Sequence, residues 1–600
     1  MPQSAPPATR LGRVDIVRAA LVAAALAGGT AIHQGDIALA PGHVFAPEAA
    51  SGHTVRTLAT ATRQMVAAPS PDATDAGLAV LRQGGSAADA AITIQAVLTL
   101  VEPQASGIGG GGFALHYDAA SRAITSYDGR ETAPATAKPD RFLDRDQPLA
   151  FPLVVHSGLS VGTPGLIRLM ELLHRRHGRL PWSKLFEPAI RLAEDGFAVS
   201  PRLHTLLALR GAAAFGATAR AYFFDADGRP WPAGHRLRNP ALAATLRAIA
   251  ADGADAFYTG PIARGIVETV ARAPNISGDL ALPDLAGYTA KQRKPLCVGY
   301  RAHTVCGMGP PSSGGYAVAA TLGLIAAYDL GRGPAAAMNH SALHRIAEAE
   351  KLAFADRDFH VGDPDQVADP AGLLDPHYIA DRGELLHAFR ARTRPYPGTP
   401  PATRRTAWGD DATPVGAGTS HVSIVDAAGN AIALTSSIEA TFGARLMTGG
   451  FLLNNELTDF SFRPRDALGR PAANAVAPGK RPRSSMAPTI VLGPDGRLAY
   501  VLGSTGGSAI IPYVVQALVG LIDWRLDPQA VAELARFGGR GNALDLEQRM
   551  ATAWQALRLV PYGHTFRIGP MTSGTHVVAV RNGRLEGAAD PRKEGVARGD

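Results

Sequence analysis

The chain is poor in cysteine, aromatic residues and charge, and after its first forty residues it has no hydrophobic run that approaches a membrane span. Of its 600 residues, 6% are aromatic, 18% are charged and 46% are hydrophobic. This balance excludes a disordered protein and is typical of a large globular one. The net charge of +7 comes mostly from arginines spread along the chain, and no basic run is interleaved with aromatic residues. We therefore predict no nucleic-acid binding.

The one notable apolar run, AALVAAALAGGTAI at 19–32, follows three arginines and precedes small residues. It is too short for a membrane span, and this order of segments is typical of a secretory signal peptide. We expect residues 1–40 to be such a signal peptide, with a disordered extension as the alternative. The protein would then be periplasmic or secreted, or cytoplasmic if the segment is not a signal.

Cysteine occurs only at Cys297 and Cys306, within PLCVGYRAHTVCGM. This segment indicates a hairpin that turns near 300–303, so the two side chains could face each other across it. A disulfide and a pair of buried free thiols fit the sequence equally well. No stretch has the spacing of metal ligands, and we predict no cofactor.

Residues 72–101 have helical apolar spacing that is broken at Gly84 and Gly85. Asp72 or Thr74 is expected to cap the first helix, and Ser86 the second.

The glycine-rich stretch SGIGGGGF at 106–113 leads into the segments FALHYD and ITSYDG, which alternate as the strands of a hairpin do. The Lys-Ser/Thr of a phosphate loop does not follow the glycines, so we assign them a positive φ in a tight turn. Residues 163–390 are mostly helical by pattern.

A polar, Pro- and Gly-rich segment, 394–418, precedes a strand-rich segment, 419–600, and the two meet at Gly418 and Thr419. We expect the first segment to be a flexible linker. If the bond before Thr419 breaks, the threonine becomes an N-terminus that carries a hydroxyl nucleophile and its own α-amine as base. The alternative is an ordinary junction between a loop and a strand.

Strands at 419–425 and 431–437 flank a five-residue loop, which predicts a tight hairpin. If Val425 lies opposite Ala431, then Thr419 lies opposite Ser437, with Cβ atoms roughly 4.5–5.5 Å apart. Ser437 could then donate a hydrogen bond to the Thr419 hydroxyl. A shorter loop would place Ser436 there instead, and a Thr/Ser pair without function is the alternative.

Several sequence motifs resemble those of the γ-glutamyltransferases, also called γ-glutamyl transpeptidases. They occur in the same order as in that family, over about residues 60–595. They are EPQASGIGGGGF, DGRETAP, PPSSGG, ADRDFHVGDP, GTSHVSIVDAAGNAIALTSS, FLLNNELTDFS, GKRPRSSMAPTIV and GSTGGS. The resemblance implies an N-terminal nucleophile hydrolase of the α/β class with a four-layer αββα sandwich. It also implies self-cleavage into a large subunit, 41–418, and a small subunit, 419–600, which form one domain as a heterodimer.

By that resemblance, the enzyme transfers a γ-glutamyl group from glutathione or a related small molecule to water, an amino acid or a peptide. Thr419 would be the nucleophile for self-cleavage at the Gly418–Thr419 bond and for catalysis, and Ser437 stands where the family has a supporting Thr. The backbone N–H groups of Gly506 and Gly507 would form the oxyanion hole.

The implied substrate contacts match the charges of a γ-glutamyl group. Arg130, with Ser484 and Ser485, would hold its α-carboxylate. Glu456 and Asp459 would hold its α-ammonium.

Two departures from the family bear on specificity. Glu439 stands where well-known members often have Asn, and its carboxylate would strengthen cation binding or alter acceptor preference. After Phe462 the segment up to the RPRSS motif has no aromatic residue, which predicts a short or absent lid and room for bulky leaving groups.

The first alternative function is a related acylase that acts on glutaryl β-lactams, which would need no partner for an α-ammonium. The second is an uncleaved, non-enzymatic binding protein on the same scaffold, which the presence of Thr419, Arg130 and the Gly506–Gly507 pair makes a poor fit.

Overall fold

The fold was analysed in a computed structural model, which describes residues 53–368, 371–401, 408–414 and 418–600. The expected signal peptide lies outside the described residues, as do residues 402–407 and 415–417 of the expected linker. No helix in the described ranges is both long enough and apolar enough to cross a membrane.

The strands are numbered in chain order. They are β1 Ala59–Ala61, β2 Met65–Ala68, β3 Gly111–Tyr117, β4 Ile124–Gly129, β5 Leu143–Asp144, β6 Gln147–Pro148, β7 Phe197–Ala198, β8 Arg236–Leu237, β9 Lys291–Arg293, β10 Leu296–Tyr300, β11 His303–Gly307, β12 Ser420–Val425, β13 Ala431–Ser437, β14 Met447–Thr448, β15 Phe451–Leu452, β16 Thr489–Leu492, β17 Leu498–Gly503, β18 Phe537–Arg540, β19 Ala543–Glu547, β20 Thr565–Gly569, β21 His576–Arg581, β22 Arg584–Ala589 and β23 Val596–Gly599.

The α-helices follow the same rule. They are α1 Pro71–Arg82, α2 Ala87–Val101, α3 Phe151–Val155, α4 Leu166–His177, α5 Glu187–Asp195, α6 Pro201–Arg210, α7 Ala217–Phe223, α8 Pro240–Asp252, α9 Asp255–Tyr258, α10 Gly260–Ala271, α11 Leu282–Ala286, α12 Gly314–Ile325, α13 His340–His360, α14 Pro376–Gly383, α15 Ile510–Ile522, α16 Pro528–Glu533 and α17 Met550–Leu559.

Two antiparallel seven-stranded sheets form the centre of the molecule. One has the order β1-β22-β21-β17-β16-β11-β10 and the other β23-β2-β12-β13-β3-β4-β9. In the second sheet, alternate residues of each strand face opposite sides: Val66 packs in one apolar core with α1, α2 and α4, while Met65 packs in the other with the first sheet. Helices α12, α13 and α15 belong to that second core. The layers therefore run helix, sheet, sheet, helix, which confirms the αββα sandwich.

Helices α1 and α2 separate at the expected glycines, and one of the two predicted caps is correct. Ser86 accepts a hydrogen bond from Asp89 N while the Asp89 carboxylate accepts from Ser86 N, so the two residues form a capping box. The first helix begins at Pro71, two to four residues earlier than expected, because proline at this position has a φ that already suits a helix. Asp72 and Thr74 therefore lie inside the first turn and do not cap it.

The glycines before β3 are required for a different structural reason from the positive φ that we predicted. None of these glycines has a positive φ. They are required because other backbone segments pass very close: an added Cβ would stand 2.1 Å from Leu452 O at Gly109 and 2.0 Å from Ser437 O at Gly110. The run thus lets β3 lie against the end of β13, where the candidate site is built.

The cysteine hairpin forms as β10 and β11, and Cys297 pairs directly with Cys306. The two residues form a disulfide. Cys297 is exposed, so the alternative of two buried free thiols is wrong.

Candidate active site

Thr419 immediately precedes β12, at the end of the hairpin formed by β12 and β13. Val425 pairs with Ala431 and Ser420 pairs with Ser436, as the five-residue loop predicts. This pairing places Thr419 at the level of Ser437, and both side chains are buried. The predicted register is confirmed.

The hydroxyls of Thr419 and Ser437 meet at one backbone oxygen. The Thr419 hydroxyl donates to the carbonyl oxygen of Gly418 at 2.7 Å, and the Ser437 hydroxyl donates to the same oxygen at 2.5 Å. Ser437 Oγ also accepts from the N–H of Glu439 at 2.7 Å, which fixes its orientation. We predicted a bond from Ser437 to the Thr419 hydroxyl, whereas here Ser437 donates to the carbonyl of the peptide bond before Thr419.

Arg130 follows β4 and lies in a buried cluster of carboxyl groups. Its guanidinium pairs with Glu456, with Asp459 at 2.5 Å and with Glu131 at 3.6 Å. It also donates to the carbonyl oxygens of Pro482 at 3.1 Å and Arg483 at 3.2 Å. Glu456 and Asp459 both come from one short 3-10 turn, Glu456–Asp459. The residues that we expected to hold opposite ends of a zwitterion therefore pair with one another in this structure.

The electrostatics of this cluster favour an incoming cation. Burial opposes the charge on Arg130, but the neighbouring Glu456, Asp459 and Glu131 outweigh it and raise the pKa of the guanidinium. Burial raises the pKa of Glu456 to about 7, and burial together with the nearby carboxylates raises the pKa of Glu131 well above its usual range. One guanidinium is thus surrounded by more acidic groups than it can neutralise, so part of their charge is suppressed by proton uptake.

Glu439 lies beside this cluster, on a backbone with a φ of 75°. Its carboxylate accepts from Asn455 Nδ2 at 2.5 Å. Burial, with Asp459 and Glu456 nearby, raises its pKa well above the ordinary range of a glutamate.

The two serines of the RPRSS motif lie at the same cavity but already have partners. Ser484 Oγ accepts from Met486 N at 3.1 Å, and Ser485 Oγ accepts from Arg357 Nη2 at 2.6 Å. Arg357 also donates to Asp358 at 2.6 Å.

Gly506 and Gly507 connect β17 to a short 3-10 turn before α15, and both have positive φ, at 128° and 57°. An added Cβ at Gly506 would stand 2.9 Å from the ring of Tyr513. Below this loop, Lys593 Nζ donates to Thr505 Oγ1 at 2.6 Å.

A cavity of about 340 Å³ joins these groups. Of the predicted site residues, it is lined by Arg130, Gly418, Thr419, Ser437, Glu439, Glu456, Asp459, Ser484, Ser485 and Gly507, while Gly506 is not among its lining residues.

The cavity is also lined by charged residues that were not predicted from the sequence, namely Arg357, Asp358, Asp411, Arg483, Arg540 and Arg567. The first four form ion pairs with one another, Arg357 with Asp358 and Arg483 with Asp411. Arg357, Asp358 and Arg483 stand inside motifs that we quoted, so the signal was present, but their convergence is a property of the fold.

Within the described ranges, one cluster away from the cavity has donors that a metal could use: His344, Glu348 and His564. The carboxylate of Glu348 already accepts from Lys351 Nζ at 2.8 Å and from Arg392 N at 2.7 Å. The Lys351 ammonium already neutralises the carboxylate that a metal ion would need as a ligand. We therefore assign no metal to the cluster.

Comparisons with known proteins agree with this geometry. The family model described as gamma-glutamyltranspeptidase matches residues 73–599. A glutathione hydrolase proenzyme of Escherichia coli (strain K12) is 35% identical over 95% of this chain and 96% of its own length. A second glutathione hydrolase proenzyme, from Bacillus subtilis (strain 168), is 33% identical over 89% of this chain and 91% of its own length. Among solved structures, cephalosporin acylase from Bacillus halodurans superposes with a TM-score of 0.80 at 25% identity, covering 93% of this chain and 99% of the acylase.

Proposed function

Because the chain belongs to the gamma-glutamyltranspeptidase family, we propose that it is a self-processing γ-glutamyl hydrolase and transferase whose nucleophile is Thr419. The observation that carries this proposal is the convergence of the Thr419 and Ser437 hydroxyls on the carbonyl of Gly418. A nucleophile lies next to the carbonyl that it must attack, and a second hydroxyl polarises the same oxygen. That arrangement suits a precursor before self-cleavage.

In the precursor, the Thr419 hydroxyl attacks the carbonyl carbon of Gly418. A C–O bond forms, the peptide C–N bond breaks, and the nitrogen takes the proton that the hydroxyl loses, which leaves an ester. The Ser437 hydroxyl stabilises the negative charge that develops on the Gly418 oxygen. The amine of Thr419 is thus already free, and water then hydrolyses the ester, which releases the carboxylate of Gly418 and restores the hydroxyl of Thr419.

In the processed enzyme, the α-amine of Thr419 takes the proton from the Thr419 hydroxyl, since an α-amine titrates near neutral pH at roughly 7.7–8.0. The hydroxyl attacks the γ-amide of the donor, and the backbone N–H groups of Gly506 and Gly507 receive the oxyanion. The amine half of the donor leaves with a proton. Water or an acceptor amine then attacks the γ-glutamyl ester and restores the Thr419 hydroxyl.

The buried cluster around Arg130 supports a γ-glutamyl donor, which carries an α-carboxylate and an α-ammonium. When this zwitterion enters, Arg130 exchanges part of its pairing with Glu456 and Asp459 for the donor carboxylate, with Ser484 and Ser485 as hydroxyl donors. Glu456 and Asp459 then pair with the donor ammonium. The zwitterion thus replaces internal ion pairs with pairs of the same kind, which limits the cost of taking these charges out of water.

The strand order supports a heterodimer of residues 41–418 and 419–600 that stays together after cleavage. Strands β12 and β13 lie between β2 and β3 in one sheet, so each segment supplies strands to the other. We propose an exported, periplasmic or secreted protein, on the basis of the N-terminal sequence and of the Cys297–Cys306 disulfide, a bond typical of oxidising compartments.

The experiment that tests the nucleophile is an intact-mass measurement of wild type and Thr419→Ala, with glutathione hydrolysis measured in parallel. We expect wild type to yield two fragments divided at Gly418–Thr419, and the alanine variant to stay whole and inactive. Active, purified wild type that runs as one band near 62.4 kDa on a denaturing gel would contradict the proposal.

A related acylase is the second candidate, because of the likeness to cephalosporin acylase. The acidic groups around Arg130 favour a γ-glutamyl donor over a glutaryl one, because a glutaryl group has no ammonium for them to bind. We expect kcat/KM to be at least about 100-fold higher for a γ-glutamyl anilide than for the matched glutaryl anilide, since the missing ammonium leaves buried acids unpaired. Faster cleavage of the glutaryl compound would favour the acylase.

A further inference from the structure

One wall of the cavity carries two arginines that neither self-cleavage nor the binding of a γ-glutamyl group uses. Arg540 ends β18 and Arg567 lies in β20, on the two outer strands of a three-stranded sheet whose central strand is β19. Both arginines line the cavity. Their side chains remain partly exposed, at 26% and 20%.

The two guanidinium groups share a single carboxylate, that of Asp545 on β19. Arg540 donates to it from Nε at 3.1 Å and Nη2 at 3.0 Å, and Arg567 donates from Nε at 2.5 Å and Nη2 at 3.0 Å. Asp545 is buried and does not line the cavity. Two positive charges against one negative charge leave a surplus of one positive charge on the cavity wall.

The other carboxyl groups that line the cavity do not neutralise this surplus. Asp358, Asp411, Glu456 and Asp459 pair with other arginines, and Glu439 accepts from Asn455. In the described part of the chain, Arg567 Nη1 has no hydrogen-bond acceptor, so its N–H groups can bind a ligand.

The arginine pair is also close to the reacting groups. Arg540 Nη1 donates to the hydroxyl of Ser508, the residue that follows Gly507. The pair is built by β18–β20, whereas the groups around Arg130 come from other segments of the chain. Arg130, Thr419 and the arginine pair line the same cavity, so a donor whose γ-glutamyl end lies at Arg130 can extend its other half toward this second site.

We propose that Arg540 and Arg567 form a carboxylate-binding subsite for the amine half of the donor and for the acceptor that replaces it. This inference rests on the proposed function and deepens it. It selects γ-glutamyl amides whose amine half carries a carboxylate, as amino acids and peptides do, over γ-glutamyl amides of simple amines. Arginine suits this task because its planar donors match the two oxygens of a carboxylate.

The test uses two donors that differ by one carboxylate, γ-glutamyl-4-nitroanilide and γ-glutamyl-3-carboxy-4-nitroanilide. Wild type, Arg567→Gln, Arg567→Lys and the control Arg584→Gln, an exposed arginine outside the cavity, are compared after a gel confirms processing. We expect wild type to prefer the carboxylated donor, and Arg567→Gln to lose about 10-fold or more of that preference through KM. Arg567→Lys should keep part of the preference for the carboxylated donor because it keeps the positive charge. The control Arg584→Gln should keep the full preference.

A second measurement on wild type alone needs no variant: the preference for the carboxylated donor should fall as ionic strength rises, because the subsite is partly exposed to solvent. An unchanged ratio of the two kcat/KM values in Arg567→Gln, or an equal loss on both donors, would overturn the subsite. Processed wild type that cleaves neither donor would instead contradict the proposed function, so the two failures are distinguishable.

Discussion

At the scale of single residues, the candidate chemistry centres on one carbonyl oxygen. The oxygen of Gly418 receives the Thr419 and Ser437 hydroxyls, and Ser437 is itself oriented by the N–H of Glu439. Because a carbonyl oxygen can only accept, the Ser437 hydroxyl proton points at Gly418 while its oxygen accepts from Glu439 N. We therefore expect Ser437 to act first on the Gly418–Thr419 bond during maturation, before any substrate is present.

Removal of this second hydroxyl should slow maturation. We expect Ser437→Ala to lengthen the half-life of the precursor by about 10-fold or more, since one donor to a developing oxyanion contributes roughly 10²–10³ in rate in other acyl transfers. A time course of the precursor band on a denaturing gel measures this effect. Ser437→Thr is the matched control, because it keeps a hydroxyl and should mature close to the wild-type rate. Equal half-lives for wild type and the alanine variant would remove Ser437 from this role.

At the scale of elements, the sequence was most informative where local rules alone decide the structure. The β12–β13 register follows from a five-residue loop and from alternation, and both can be counted in the printed sequence. The Ser86 capping box follows from the chemistry of one residue and its neighbour three positions on. These features need no knowledge of the rest of the fold.

The elements that sequence reasoning missed depend on distant partners. The glycines before β3 are required by the approach of Ser437 and Leu452, which lie more than 300 residues further along the chain. Strand β15 ends at Leu452, and the 3-10 turn Glu456–Asp459 brings its carboxylates to Arg130, which comes from a distant segment of the chain. The Arg540–Arg567 pair depends on β20 returning parallel to β19 after helix α17, so that the arginines lie on the two outer strands of a small sheet. Such convergence leaves no local pattern in one sequence.

At the scale of the whole molecule, one buried contact joins the segments on either side of Gly418–Thr419. Glu350 on α13 accepts a hydrogen bond from Gly539 N on β18 at 2.6 Å. An added Cβ at Gly539 would stand 2.0 Å from Ala347 O, so β18 lies directly on α13. Because β18 also holds Arg540, this contact supports the cavity wall from behind.

The same contact predicts how stability varies with pH. Burial raises the pKa of Glu350 from an ordinary value of 4.5 to about 8. Between these two values the unfolded carboxyl is ionised while the folded one keeps its proton. The stabilisation is therefore complete below about pH 4.5, falls as pH rises and is lost above about pH 8.

Glu350→Gln keeps the acceptor for Gly539 N and removes the titration. We expect the variant to match wild type near pH 5 and to be more stable at pH 8, by on the order of 3 kcal/mol. Thermal unfolding midpoints at the two pH values measure the change, with the exposed Glu384→Gln as control. The same shift at both pH values would mean that packing, rather than ionisation, sets the effect. A shift confined to pH 8 would show that the proton on Glu350 stabilises the contact between the segments on either side of Gly418–Thr419.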